Sequence, residues 1–92
     1  MELKVIKRNL NKENYNPEKI IKVVAAAGLS QESAKALSDR VSGWLEKRGK
    51  PEVTSLQIRD KVIVEIQKID RGAARKFIWY EKYRDKNYGV NY

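Results

Sequence analysis

Lys7, Arg8 and Lys19 are the side chains of this 92-residue chain whose types and spacing best suit chemistry. Three cations can grip a phosphate if the chain between them turns back on itself. Lys7 and Arg8 end an alternating segment, and Lys19 falls in the first turn after Asn16-Pro17, a pair suited to opening a helix. A hairpin between the two brings strand end and helix start together. Positive charge at a helix N-terminus is locally unfavourable, so Lys19 implies either a bound anion or a side chain directed away. Val5, Ile6, Tyr15 and Ile20 beside these cations supply either a base-sized apolar wall or the core under the hairpin.

Other chemistries are poorly served. The chain has no cysteine and no histidine, which removes thiol nucleophiles, disulfides, zinc-thiolate sites and imidazole bases or ligands. Glu13 with Glu18 and Asp60 with Glu65 are the available carboxylate pairs, but acid-base catalysis needs perturbed pKa values in a cleft, and surface or capping roles account for both pairs. Neither G-x-x-x-x-G-K-[ST] nor G-x-G-x-x-G occurs, so a phosphate site here rests on side-chain cations and helix N-termini. No enzyme is expected.

The elements that must position these groups belong to one small domain. A chain this short buries only about 60 to 68% of its unfolded surface, which supports one modest core. Net charge is +8, from 20 Lys and Arg against 12 Asp and Glu. The excess lies at the two ends: residues 1–22 carry six basic and three acidic side chains, residues 71–92 six and two, and the residues between them eight and seven. Ends brought together make one positive field for polyphosphate or a nucleic-acid backbone; ends held apart are a solvated surface. The longest apolar stretch is far short of the roughly 20 residues of a membrane span, and no signal-like segment opens the chain, so the expected location is the cytoplasm.

Leu3 to Arg8 alternates as a half-buried strand, with Leu3, Val5 and Lys7 on one face and Lys4, Ile6 and Arg8 on the other. Asn9 to Lys12 reads as a turn, returning through Glu13 to Tyr15. Asn16 and Pro17 then start a helix whose Ile20, Val23, Val24 and Ala27 share a face and which Gly28 stops. Ser30 starts a second helix with Ala34, Leu37, Val41, Trp44 and Leu45 inward, ended by Gly49 and Pro51. Thr54 with Gln57 makes a capping box for a third, faced by Ile58, Val62, Ile66 and Ile69. Asp70 caps a fourth from Arg71 to about Lys86, with Ala74, Phe77, Ile78 and either Tyr80 or Trp79 inward. Residues 87–92 read as a flexible tail. The fold class is α+β, mainly α, with an N-terminal β-hairpin or small sheet capping a four-helix bundle.

The run Val5-Ile6-Lys7-Arg8, followed by Tyr15-Asn16 and Lys19-Ile20, resembles the opening motif of the ATP-cone family, typically V-x-K-R-D-G and then F-D and K-I at fixed spacing. The resemblance continues through Ala27 to Ser30, Val53 to Ser55, Ile58 to Asp60, and Ala73 to Ile78 with Tyr80 and Arg84, so it covers residues 3–86. It implies a small helical unit capped by a β-hairpin or three-stranded sheet that binds ATP or dATP as an allosteric effector. It further implies that Lys7, Arg8 and Lys19 hold phosphates, that Val5, Ile20 and Ile58 contact the base, and that Glu13 and Asn16 lie near base or sugar. Ser55 and Arg59 would lie near the nucleotide at the third helix, with Lys82 or Arg84 as a further basic contact. The resemblance leaves room for Mg2+ with the nucleotide, and for a homo-oligomer or a catalytic or DNA-binding module as partner, in the same protein or in trans. One departure stands out: Asn9-Leu10 replaces the usual Asp-Gly, and Leu adopts a positive φ less cheaply, so the turn must differ or be strained. Two other readings stay open: a nucleic-acid-binding basic module with Trp44, Trp79 and tyrosines as stacking groups, and a degenerate cone serving protein interaction only.

Overall fold

A computed structural model describes residues 3–87, with side chains described for residues 3–80. Three short strands, β1 (Lys4–Ile6), β2 (Lys12–Asn14) and β3 (Glu52–Thr54), and four helices, α1 (Pro17–Ala26), α2 (Gln31–Arg48), α3 (Ser55–Ile69) and α4 (Arg71–Asn87), follow in the order β1-β2-α1-α2-β3-α3-α4. The protein is thus mainly helical with a small sheet, and the third strand decides between the two alternatives the sequence allows. β1 lies in the middle. It pairs antiparallel with β2, Val5 opposite Glu13, and parallel with β3, Val5 opposite Val53. A parallel pair needs a long crossover, and α1 and α2 together provide it.

The helix boundaries follow the caps. Asn16 Oδ1 accepts from the Glu18 N–H, and Ser30 Oγ accepts from the Ser33 N–H. Thr54 and Gln57 form both bonds of the capping box, and Asp70 Oδ1 accepts from the N–H groups of Gly72 and Ala73. Gly49 ends α2 in the left-handed conformation at φ 65°. α1 packs on α2, α2 on α3 and α3 on α4, around one core that includes Val5, Ile20, Val24, Leu37, Val41 and Phe77. Among the described residues, no helix is long and apolar enough to cross a membrane.

Two expected core positions are not core. Trp79 is 69% and Tyr80 42% exposed, whereas Ala73, Ala74 and Phe77 are buried. Trp79 stands about 200° around the helix from Phe77, so it faces away once Phe77 points inward. Ile69 is also exposed, because the last turn of α3 passes beyond the core: Gln67, Lys68 and Asp70 are exposed with it. α4 runs one residue further than expected, through Asn87. The expected tail at 88–92 lies outside the described residues, as do the side chains of Lys82 and Arg84.

The hairpin keeps the turn that a glycine would serve. The Leu10 N–H donates to the Lys7 carbonyl at 2.9 Å and the Lys7 N–H to Asn11 at 2.8 Å, while Asn9 Oδ1 accepts from the Asn11 N–H. This is a three-residue loop whose last residue must be left-handed, and Leu10 holds φ 70° there with its side chain in solvent. An L side chain in that region costs about 1–2 kcal/mol.

One carboxylate lies deep in the helical layer. Glu65 was a candidate surface acid, yet it is 3% exposed. Its place three residues after Val62 sets it on the inward stripe of α3. Glu65 Oε2 accepts from Lys61 and Lys68, each at 3.2 Å, and Oε1 lies 3.8 Å from the Arg40 guanidinium on α2. Burial alone pushes its pKa up, but the hydrogen bonds and charges of Lys61 and Lys68 outweigh it and hold the carboxyl below its ordinary value.

Two outcomes follow for stability. Leu10→Gly removes the strained φ while loosening the unfolded chain, and the net expectation is a gain of about 0.5–1 kcal/mol, read as a melting temperature several degrees higher by circular dichroism. Glu65→Gln is expected to destabilise by about 1–2 kcal/mol at neutral pH. Because the folded-state pKa is depressed, that contribution is complete above the ordinary glutamate value of about 4.3 and disappears as pH falls through the folded value. Melting curves of the two proteins should therefore converge in acid.

Candidate anion-binding site

The alternation of β1 sorts its neighbours onto two faces. Residues directly opposite in paired strands share a face, so Val53, Val5 and Glu13 form a row on the side where Val5 and Val53 are buried. Lys7, two residues after Val5, continues on that side just beyond the strand. The opposite face carries Lys4 against Asn14 and, across the sheet, Lys12 paired with Glu52. At the rim of the inner face the site forms. Lys7 Nζ lies 2.5 Å from Glu13 Oε1, and Lys19 Nζ, from the first turn of α1, lies 3.2 Å from Glu13 Oε2.

Two of the three expected cations therefore converge, as the hairpin argument requires, and they do so on an internal anion. Glu13 is half-buried, and the Lys7 hydrogen bond, with Lys19 adding to it against the opposing effect of burial, holds its carboxyl below the ordinary value. Both carboxylate oxygens of Glu13 meet lysines, and Glu18 is exposed in the first turn of α1. The bridging role of Glu13 is the part the sequence alone left unassigned, although a register placing it opposite Val5 would have set it on the lysine side. Arg8 sits in the exposed turn that follows.

The remaining candidates lie at different depths. Val5, Ile20 and Ile58 are each at most 1% exposed, with their side chains in the core, the second of the two roles open for such residues. Asn16 is exposed and its carbonyl oxygen is committed to the α1 cap. Ser55 is buried at the opening of α3, which starts beside the end of β1 because Thr54 pairs with Ile6. Arg59, one turn along α3, reaches Asp60 through Nη2 at 3.4 Å, and its Nε is buried with no hydrogen-bond partner among the described residues. A buried guanidinium N–H without an acceptor is costly, which marks it as a donor suited to an anion. The arrangement offers two ammonium donors at a spot where a negative group already resides. Among the described residues, no group of three or more acidic side chains stands together to hold a metal.

Comparison with known proteins agrees with this geometry. A family model described as the ATP cone domain matches residues 3–86. The chain is similar to proteins named transcriptional repressor NrdR: that of Sulfurihydrogenibium sp., 31% identical over 80 residues, or 83% of this chain and 53% of the relative, and that of Bdellovibrio bacteriovorus, 30% identical over 79% of this chain and 40% of the relative. The protein of the same name from Acaryochloris marina is 32% identical over 79% of this chain and 44% of its own length. The chain thus spans about half the length of these relatives, or less. With the family model covering all but the ends, and with hairpin and first-helix lysines meeting at one carboxylate, this chain belongs to the ATP-cone family.

Proposed function

We propose that the chain is a regulatory domain that binds an adenine nucleotide, ATP or dATP, and performs no catalysis of its own. The observation that supports this reading most directly is the meeting of Lys7 and Lys19 on Glu13. Two ammonium groups held close by one carboxylate leave an excess of positive charge, and a triphosphate with several negative charges attracts both more strongly than Glu13 does. In this reading Lys7, Arg8 and Lys19 hold the phosphates, and Arg59 and Ser55 add a guanidinium and a hydroxyl from α3. Val5, Ile20 and Ile58 stay in the core behind the site and hold its strand and helices in place, while Glu13, relieved of its lysines, and Asn16 lie near base or sugar. Any Mg2+ enters on the phosphates.

The nucleotide then ties the sheet, as a cap, to the helical bundle through Lys7 and Lys19. The functional output is a change in association, either with a second copy or with a catalytic or DNA-binding module in the same longer protein or in trans. The cytoplasm is the compartment where such an effector is abundant.

Thermal melting of the full chain with ATP, dATP and AMP tests the proposal. A triphosphate at about 100 times its Kd adds about 2.7 kcal/mol, a rise of roughly 10 °C or more for a domain of this size, with a smaller rise for AMP. Lys7→Ala and Lys19→Ala are each expected to lose most of the shift while keeping the helical spectrum. Absence of a shift with every nucleotide would leave a cone that keeps its fold and has lost its ligand.

A further inference from the structure

We propose that Glu13 is an internal competitor of the phosphate ligand: its carboxylate occupies Lys7 and Lys19 until a more highly charged anion takes them, and so sets how much negative charge a ligand must bring. The proposal rests on the nucleotide reading for the kind of anion bound, and adds to it a residue that opposes binding. Its basis is the geometry of one carboxylate. Oε1 meets Lys7 Nζ at 2.5 Å and Oε2 meets Lys19 Nζ at 3.2 Å, so each oxygen holds a different ammonium group. Both lysines are engaged by a single negative charge.

The sheet keeps Glu13 in place. It is the middle residue of β2 and pairs with Val5, so its side chain can rotate but its backbone cannot withdraw while the strands stay paired. An anion arriving at Lys7 and Lys19 therefore meets a like charge close by, at a cost that grows as the two approach. Lys7 and Glu13 are 20% and 35% exposed, so water screens this contact less than it would a fully exposed pair. The other carboxylates at this end of the molecule do not share the role. Glu52 pairs with Lys12 on the opposite face of the sheet, and Glu18 is exposed and forms no ion pair among the described residues. Two lysines against one carboxylate leave the site net positive. A single phosphate group merely exchanges one bridging anion for another and stays beside Glu13, whereas a polyphosphate chain brings further charge to outweigh it. The ligand class that follows is a polyphosphate.

Calorimetric titration of the full chain with inorganic tripolyphosphate, which carries neither base nor sugar, tests the proposal at about 50 mM salt. Glu13→Gln is expected to tighten binding about fivefold, the effect of removing one unit charge about 4 Å away in water-like surroundings. Glu18→Gln removes the same charge from a neighbouring residue that holds no lysine, and should change affinity by less than about twofold. In the unsubstituted chain, the carboxyl carbon resonance of Glu13 should move on saturation with tripolyphosphate as its lysines leave. The proposal is overturned if Glu13→Gln binds tripolyphosphate no more tightly than the unsubstituted chain, if Glu18→Gln tightens binding equally, or if the resonance does not move. Absence of tripolyphosphate binding to both chains overturns it as well. ATP and CTP titrated in parallel keep the nucleotide reading separate: equal affinity for the two sinks the adenine preference and leaves the Glu13 comparison intact.

Discussion

The pairing of β1 on both of its edges is the constraint from which the rest follows. Three residues of strand are too few to be stable alone, and here each is fixed twice, once by the hairpin to β2 and once by the parallel return of β3. The double pairing fixes which side of every strand faces the helices. Once Val5 and Val53 are buried, Glu13 has no choice of side, and Lys7 follows two residues after Val5. The location of α3 is set by the same pairing, since Thr54 both ends β3 and caps the helix that begins at Ser55. The meeting of Lys7 and Glu13 at the sheet's rim is therefore a by-product of burying two valines correctly.

Charge is handled in three different ways across the molecule. At the hairpin, Lys7 and Lys19 share a partly exposed carboxylate, an arrangement that is satisfied yet open to a stronger anion. In the helical layer, Glu65 is buried under Lys61, Lys68 and Arg40, where loss of the carboxylate would leave cations facing one another between α2 and α3. In the first two turns of α4, Arg71, Arg75 and Lys76 form no ion pair among the described residues. The first pattern leaves an excess of positive charge, the second suits structure, and the third is a solvent-facing row of cations.

Strain is concentrated in the hairpin that carries Lys7 and Arg8. Leu10 holds a left-handed backbone that glycine would hold freely, and it does so at the tip of the hairpin that carries Lys7 and Arg8. The turn is retained because its two backbone hydrogen bonds and the Asn9 side-chain bond all require that geometry.

The sequence by itself determined the helices and most of the core, because caps such as Asn16, Ser30 and Thr54 and the spacing of Ile20, Val24, Leu37, Val62 and Phe77 act over a few residues. It also carried the family motif and the convergence of Lys7 with Lys19, both consequences of a local hairpin. What lay beyond it depends on contacts distant in the chain. β3 has a single inward side chain, Val53, and becomes a strand only when β1 offers an edge. Glu13 becomes a bridge only once register is known, and Glu65 is buried only because α2 closes over it. Trp79 and Trp44 are alike in composition but differ in place, one turned outward by the rotation of α4 and the other covered by neighbouring cations. Short-range order is written in adjacent residues; which face is buried is decided by what packs against it.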